Sequence, residues 1–343
     1  MYLGKFQGRC CVSSKFSPNE SVCITGLSGS GKTVRLQRIE IEAAREGNAV
    51  IVLDLNQTHL HNQIFSGNRE EFLQFENRID AVRDGLNISL LLPSQTINGE
   101  TESFVNRVNS AVNAFSSSQN MGVRQLGVLR TAVIQSVNQR SFFQSDADAI
   151  KYALLCQGDA HADAVYEKLW TILNCGVLRP SEKALKNGAI NIIDLCGVDM
   201  ITRKSLAEIV LSALWQIVQH AGLNGVMQPV VLVLDECQIY NWRRTSVLCD
   251  ILREGRKFKL KAVLATQTLD CFSSEIISLL DQTATKLYFR PPECDTKKIA
   301  RKLGKNDSKR WEQELSALRV GESIAVGDFN VNGQEIRRPI LLT

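Results

Sequence analysis

The sequence lacks the long apolar segments and the repeats that define several classes of protein. No stretch approaches the run of about eighteen apolar residues that spans a bilayer, and the amino-terminal residues lack the apolar segment of a signal peptide. Internal repeats and low-complexity segments are also absent, and 44% hydrophobic with 22% charged residues is ordinary for a globular protein. We therefore expect a soluble, cytoplasmic protein that has no membrane contact.

Disulfide and metal-binding patterns are absent as well. The ten cysteines are scattered without a C-x-x-C pair, and most lie in apolar runs, which is typical of buried, reduced thiols in a cytosolic protein. His59 and His61 alternate after a predicted strand, where we expect exposed loop residues rather than metal ligands. The net charge of +4 is too small to indicate nucleic-acid binding unless the charge is concentrated on one surface.

The most informative segment is residues 26–33, which fill the pattern G-x-x-x-x-G-K-[ST]. Its glycines let the backbone turn so that N–H groups point at a phosphate, where a side chain would collide with it. A predicted strand over 21–25 and a predicted helix over 33–46 flank the loop in the required order, and the helix directs its positive dipole end at the anion. Lys32 would reach the β- and γ-phosphates, and Thr33 would offer its hydroxyl to Mg²⁺. The predicted nucleotide-binding residues are Gly26, Ser28, Gly29, Ser30, Gly31, Lys32 and Thr33.

A second motif indicates that the bound nucleotide is also hydrolysed. The apolar run at 230–234 ends in Asp235 and Glu236, which predicts a central parallel strand with two carboxylates at its carboxyl end. Asp235 would hold Mg²⁺ through water, and Glu236 would orient and deprotonate the attacking water. The alternative is a buried strand that merely ends in polar residues. The upstream phosphate loop favours hydrolysis over that alternative.

A third motif supplies an amide and a basic cluster. A predicted strand that ends at Thr266 and Gln267 could bring the Gln267 amide within reach of the γ-phosphate or its attacking water, as a sensor. The cluster at 253–257, with Arg253 and Arg256, has too much charge for a core. It suits phosphate in a neighbouring subunit's site, or nucleic acid. A solvated basic helix end is the alternative.

The order of predicted elements indicates an α/β fold. Strand, phosphate loop, helix and a strand over 49–55 form a right-handed βαβ unit, so a parallel sheet follows. Further core strands are predicted at 188–195, 230–234, 262–265 and 285–289, and helices at 102–115, 123–137, 145–155 and 162–173. We predict one ATPase domain over 1–343 with a helical insertion at approximately 93–187, and a separate helical domain is the alternative.

Together these motifs resemble the HerA/FtsK superfamily of ring-forming P-loop ATPases, on the HerA side with its conjugation-ATPase relatives. The motifs that carry the resemblance are residues 26–33, Asp235 with Glu236, residues 251–257 and residues 265–267. The strand at 188–195 with a long helix through His220 is similar to the strand and helix that precede the second acidic motif in that family. The tail at 315–327, followed by residues 337–339, is similar to the family's final strands. The resemblance implies a RecA-like core with a largely parallel sheet, ATP and Mg²⁺ as cofactors, and no other metal.

Three departures from the family limit what the resemblance implies. HerA proteins usually carry a β-barrel before the ATPase core, whereas only twenty residues precede the predicted first core strand, so we expect no barrel. Residues 54–58 match only the Asp of the family's Asp-x-x-Gly-Glu pattern, so the role of that glutamate is not carried over. The winged-helix domain and membrane segments of FtsK are missing, so sequence-guided translocation is not expected.

The resemblance implies a homo-oligomer, specifically a hexameric ring with ATP at its subunit interfaces. Glu236 and Gln267 would act from one subunit, and Arg256 from the neighbour, with Arg253 as the second choice. In this interpretation the ring is a DNA motor that acts with a partner nuclease or effector. Basic residues of the insertion or of pore loops would contact DNA, with Arg124, Arg130 and Arg140 as candidates, and plain surface charges are the alternative for these three arginines.

Two other functions stay open at the level of sequence. The ring could be a non-translocating, nucleotide-gated scaffold for an effector in an antiphage defence complex. The chain could also be a monomeric NTP-binding regulator, in which case Arg256→Ala would leave hydrolysis intact.

Overall fold

The central sheet carries the motifs described above. The computed structural model describes residues 1–14, 20–92, 102–117, 119–223 and 229–343. Across these ranges nine strands form one sheet. In order across the sheet they are β13 (Ile340–Leu342), β10 (Ser323–Val326), β9 (Thr285–Tyr288), β3 (Val22–Thr25), β8 (Leu260–Thr266), β7 (Val230–Leu234), β4 (Ala49–Asp54), β6 (Ala189–Asp194) and β5 (Glu76–Asp80).

Seven of the nine strands, β3 to β9, run parallel. At one edge β10 pairs antiparallel with β9, and β13 pairs antiparallel with β10. Every residue of β3, β4 and β7 is buried, which explains their continuous apolar sequences. In the parallel register Thr25 pairs with Thr266, and Leu234 pairs with Leu264. The segments that follow β3, β7 and β8 therefore leave the sheet at the same edge. The predicted fold class is confirmed.

Helices cover both faces of this sheet. In chain order they are α1 (Lys32–Arg45), α2 (Arg69–Phe75), α3 (Ala81–Asp84), α4 (Phe104–Ser116), α5 (Val123–Gln139), α6 (Asp146–Leu155), α7 (Ala160–Asn174), α8 (Met200–Leu223), α9 (Val247–Glu254), α10 (Ser274–Leu280), α11 (Glu293–Leu303) and α12 (Ser308–Ala317). Alternate strand residues face opposite sides, so Val231 packs in one core with Leu36 of α1, and Leu232 packs in a second core with residues of α4–α9. None of these helices is long and apolar enough to cross a membrane.

The four helices α4–α7 occupy the segment predicted as an insertion. Each begins and ends within about two residues of the predicted bounds, which is ordinary for helix ends that fray. Their buried residues, such as Val108, Leu129, Ile150 and Leu169, belong to the same core as Leu232 of the central sheet. The insertion and its bounds remain a prediction, and residues 93–101 and 118 of it lie outside the described residues.

A second, antiparallel sheet joins the two ends of the described chain. Its strands are β1 (Tyr2–Phe6), β2 (Arg9–Ser13), β11 (Phe329–Val331) and β12 (Gln334–Ile336), in that order. The buried guanidinium of Arg35 connects this sheet to α1, because it donates to the carbonyl oxygens of Leu3 and Gly321. Within the tail predicted at 315–327 as final strands, only β10 is a strand. The first residues of the tail, 315–317, are the last residues of α12, in which Leu315 is buried.

The cysteines only partly follow the prediction. All ten are free thiols, but four are buried and another four are exposed, so the expectation that most are buried is wrong. The exposed ones lie near the ends of strands and helices or in the turn between β8 and α10, where an apolar neighbour in the sequence does not imply burial: Cys10, Cys156, Cys271 and Cys294.

Candidate active site

The phosphate-binding motif forms the predicted strand, loop and helix. β3 ends at Thr25, and α1 begins at Lys32. Gly29 and Gly31 have φ values of +75° and +104°, a left-handed conformation that favours glycine. A Cβ at Gly26 would lie 2.6 Å from the Cβ of Phe289, so close packing requires a glycine there too. The backbone therefore takes the tight turn that the glycines predict.

Lys32 lies folded over its own loop. Its Nζ donates hydrogen bonds to the carbonyl oxygens of Gly26, at 2.7 Å, and Leu27, at 3.0 Å. Burial lowers the pKa of Lys32, and the carboxylates of Glu236 and Asp235 partly offset this effect. The ammonium group is thus held at the mouth of the loop, close to two acidic side chains.

Thr33 and Asp235 come together from distant parts of the sequence. The Thr33 hydroxyl donates to Asp235 Oδ2 at 3.3 Å, and Asp235 Oδ1 accepts from the backbone N–H of Glu236 at 2.9 Å. Burial raises the pKa of Asp235, and the positive charge of His59 partly opposes that rise. A hydroxyl and a carboxylate are hard oxygen ligands, the type that Mg²⁺ prefers. The predicted pair of magnesium ligands fits such an ion chemically.

Amide donors hold both carboxylate oxygens of Glu236. Gln267 Nε2 donates to Oε1 at 2.7 Å, and Gln238 Nε2 donates to Oε2. Glu236 has a φ of +51°, an uncommon conformation for a residue with a side chain, and the 3₁₀ helix Cys237–Ile239 follows it. The structure brings Gln267 into contact with Glu236, and its role as a sensor of the γ-phosphate stays a prediction. Sequence reasoning missed Gln238, although it stands only two residues after the carboxylate.

His59 is buried, so the prediction of an exposed loop residue is wrong for it. Its Nε2 lies 3.0 Å from Glu40 Oε1 of α1, its ring Nδ1 lies 3.0 Å from the Thr58 hydroxyl, and its backbone N–H donates to Asp54 Oδ2 at 3.1 Å. Periodicity could not reveal this position, because its partner is a buried glutamate on another element. His61 is exposed, as predicted.

The charge on His59 should make the stability of the protein depend on pH. Burial alone would lower the pKa of His59, but the Glu40 carboxylate outweighs it and raises the pKa to about 9. Because the folded pKa exceeds the unfolded value of about 6.5, the stabilisation is fully present below pH 6.5 and is lost as the pH rises through 9. We expect the free energy of unfolding to fall by about 3 kcal/mol over this window.

Urea unfolding from pH 6 to 10 measures this loss. The His59→Gln variant should show a smaller decline than wild type, with only the part due to the buried thiols near pH 9–10 remaining, whereas the exposed control His61→Gln should keep the full decline. An identical decline in wild type and His59→Gln would show that His59 is not the group that titrates.

The two candidate arginines lie before β8, and Arg256 is far from the phosphate loop of its own chain. Arg256 belongs to the 3₁₀ helix Gly255–Phe258, which precedes β8. The seven residues of β8 span about 20 Å before Gln267 is reached. Arg253 lies in the last turn of α9, where its Nη1 donates to the carbonyl oxygen of Arg244 at 3.0 Å. The fold therefore does not bring Arg256 to the Glu236 of the same chain.

Comparisons with known proteins support the family resemblance that the motifs indicate. No protein-family model matches the chain. The DNA double-strand break repair helicase HerA of Sulfurisphaera tokodaii is 27% identical over 156 residues, which are 42% of this chain. The matched segment is only 30% of that HerA protein.

Solved structures share the fold over most of the chain. VirB4 of Thermoanaerobacter pseudethanolicus superposes with a TM-score of 0.72 at 17% identity, over 100% of this chain and 96% of that one. The plasmid coupling protein TrwB, in complex with ADP and Mg²⁺, superposes with a TM-score of 0.56 at 12% identity, over 94% and 86%. Together, the comparisons confirm the resemblance to the HerA/FtsK type of P-loop ATPase.

Proposed function

We propose that this chain, a P-loop protein of the HerA/FtsK type, hydrolyses ATP with the help of Mg²⁺. The observation that carries the proposal is the contact of 3.3 Å between Thr33 and Asp235, which are 202 residues apart. It places the phosphate loop directly against the acidic end of β7, where Glu236 can reach a water that attacks the γ-phosphate. TrwB, which has the same fold, was crystallised with ADP and Mg²⁺.

Each residue of the site has a distinct task in this mechanism. The loop N–H groups and Lys32 bind the phosphates, and the glycines keep the approach open. Thr33 and Asp235 would hold Mg²⁺, which neutralises phosphate charge when it is bound. Glu236 orients the attacking water and accepts its proton, and Gln267 contacts the same carboxylate from the end of β8.

The proposed active form is a ring, for which we favour six subunits. In this ring an adjacent subunit completes each ATP site. An arginine stabilises the charge of the phosphoryl-transfer transition state, yet Arg256 lies at the other end of β8 from its own Glu236. In a head-to-tail ring the arginine of one subunit faces the nucleotide of the next. Hydrolysis would then depend on assembly.

We assign the work of hydrolysis to movement on DNA, together with a partner nuclease or effector. The HerA relative is a DNA double-strand break repair helicase, which supports this choice. On the helical region Arg124 and Arg130 are exposed and can contact phosphates, whereas Arg140 forms an ion pair of 2.6 Å with the buried Asp146. Arg140 is therefore withdrawn from the candidate DNA contacts.

Turnover should respond to DNA and to salt if the ring is a motor. We expect duplex DNA to raise ATP turnover several-fold at low salt, with the stimulation falling steeply as salt rises, because phosphate contacts release counterions.

Lys32→Ala should abolish nucleotide binding and all turnover, whereas the exposed control Lys309→Ala should behave as wild type.

The measurement is steady-state ATPase activity with and without duplex DNA over a salt series. Turnover that ignores DNA would contradict the motor and favour a nucleotide-gated scaffold for an effector, including one in antiphage defence. Turnover by Lys32→Ala at the wild-type rate would contradict ATP hydrolysis at this site.

A further inference from the structure

Gln238 contacts the proposed catalytic base and is not part of any motif that the sequence indicated. It lies in the 3₁₀ helix that follows Glu236, so both side chains reach the carboxyl end of β8. Its Nε2 donates to Glu236 Oε2, and its Oε1 accepts from the Thr266 hydroxyl at 2.9 Å. The three side chains form a continuous hydrogen-bonded chain from β8 to the base.

The chemistry of the carboxylate fixes which groups donate and which accept in this row of hydrogen bonds. An ionised carboxylate can only accept hydrogen bonds, so the Gln238 amide must present its NH₂ group to Glu236 and its oxygen to the other side. On that side stands the hydroxyl of Thr266, a residue that is fully buried at the end of β8. The Glu236 carboxylate therefore selects the orientation of the Gln238 amide. The single hydroxyl proton of Thr266 can go to the amide oxygen, at 2.9 Å, or to the carbonyl oxygen of Thr268, at 3.0 Å, and in the first case it helps to hold the amide.

The same arrangement leaves Glu236 able to act. A carboxylate offers about four lone pairs, and the amides of Gln238 and Gln267 use two of them, one on each oxygen. The remaining lone pairs can accept a hydrogen bond from the attacking water. Two donors on opposite oxygens restrict rotation of the carboxylate without blocking it, which is what a general base requires.

We propose that Gln238 is a positioning residue for the reaction, which holds Glu236 in its productive orientation and is itself supported by the hydroxyl of Thr266. The inference rests on the proposed role of Glu236 as general base. Gln238 does not bind nucleotide in this account, because its polar atoms are engaged by Glu236 and Thr266. Its loss should therefore affect the chemical step and spare nucleotide binding.

Gln238→Met tests the inference, because methionine keeps the length of the side chain and removes both polar groups. We expect kcat to fall about ten- to a hundredfold, as for a lost hydrogen bond to a charged group, with KM and nucleotide affinity unchanged. Gln238→Ala is a second variant in case methionine disturbs packing. Gln313→Met, on an exposed face of α12, is the matched control and should keep the wild-type kcat.

Thr266 allows a second test that a merely structural role would not pass. Thr266→Val removes the hydroxyl at nearly constant volume and should lower kcat, whereas Thr266→Ser should restore it. The double variant Gln238→Met/Thr266→Val should be no slower than Gln238→Met alone, because Thr266 acts through Gln238. The measurements are single-turnover hydrolysis, nucleotide binding and thermal unfolding of the full chain.

The outcomes separate this inference from the proposed function. If Glu236→Gln is inactive but Gln238→Met keeps the wild-type kcat, the inference is wrong and the base assignment stands. Losses that multiply in the double variant, or a rise in KM that accounts for the whole effect, would also overturn it. If Glu236→Gln itself hydrolyses ATP normally, the assignment of the base fails first.

Discussion

Glu236→Gln should slow ATP hydrolysis by a factor of about 10²–10⁴ and leave nucleotide binding intact. Glutamine has nearly the same size, so it keeps the packing at the end of β7, but it cannot accept a proton from water. Thr33, Asp235 and Lys32 are untouched, so the phosphates should bind as before. The amide that replaces the carboxylate also carries an NH₂ group, and this group would face the NH₂ donor of Gln238 or of Gln267.

Hydrolysis under single-turnover conditions, together with equilibrium binding of a fluorescent ATP analogue, measures the two halves of this prediction. Glu167→Gln is the matched control, because Glu167 is exposed on α7 of the helical region. A wild-type rate in Glu236→Gln would show that another group activates the water.

Arg256→Ala should abolish turnover while the protein still assembles. An arginine supplied in trans contributes about 10³–10⁵ to the rate of phosphoryl transfer in P-loop enzymes. The chain places Arg256 near the amino end of β8, whereas Glu236, Gln267 and the phosphate loop lie at the carboxyl edge of the sheet. Arg256 would therefore reach a nucleotide only in a neighbouring subunit.

Turnover and light scattering, measured together over a range of protein concentration, check this expectation. Lys257→Ala is a matched control, because Lys257 is exposed and forms a 3.4 Å surface ion pair with Glu254. Arg253→Ala distinguishes the second candidate. Full activity of Arg256→Ala at low concentration would favour the monomeric regulator instead.

The sequence was sufficient to predict the strands that position the site. Continuous apolar runs such as Val230–Leu234 have no polar residue that could face solvent, so burial on both faces was the sole consistent interpretation. The glycine pattern of the phosphate loop also has one physical purpose, and the left-handed Gly29 and Gly31 agree with it. These are local signals, and local signals are visible in a single sequence.

Long-range pairings were not predictable in the same way. β1 and β2 form a sheet with β11 and β12, which lie more than 300 residues later in the chain, and the sequence of a short strand does not indicate which strand it pairs with. β5 contains one apolar residue, Ile79, among five, so its pattern is that of a loop. His59 and Gln238 were missed for a related reason, because their roles depend on the partners Glu40, Glu236 and Thr266.

The most direct test of the central claim, an ATPase site shared between subunits, mixes two inactive variants. Glu236→Gln keeps Arg256, and Arg256→Ala keeps Glu236, so a mixed ring contains interfaces at which both residues are intact. We expect equimolar mixing to restore about a quarter of the wild-type turnover, since about one interface in four combines the two intact sides in a randomly assembled ring. If turnover in the mixture stays at the level of the separate variants although they co-assemble, Arg256 does not act across the interface and the account is wrong.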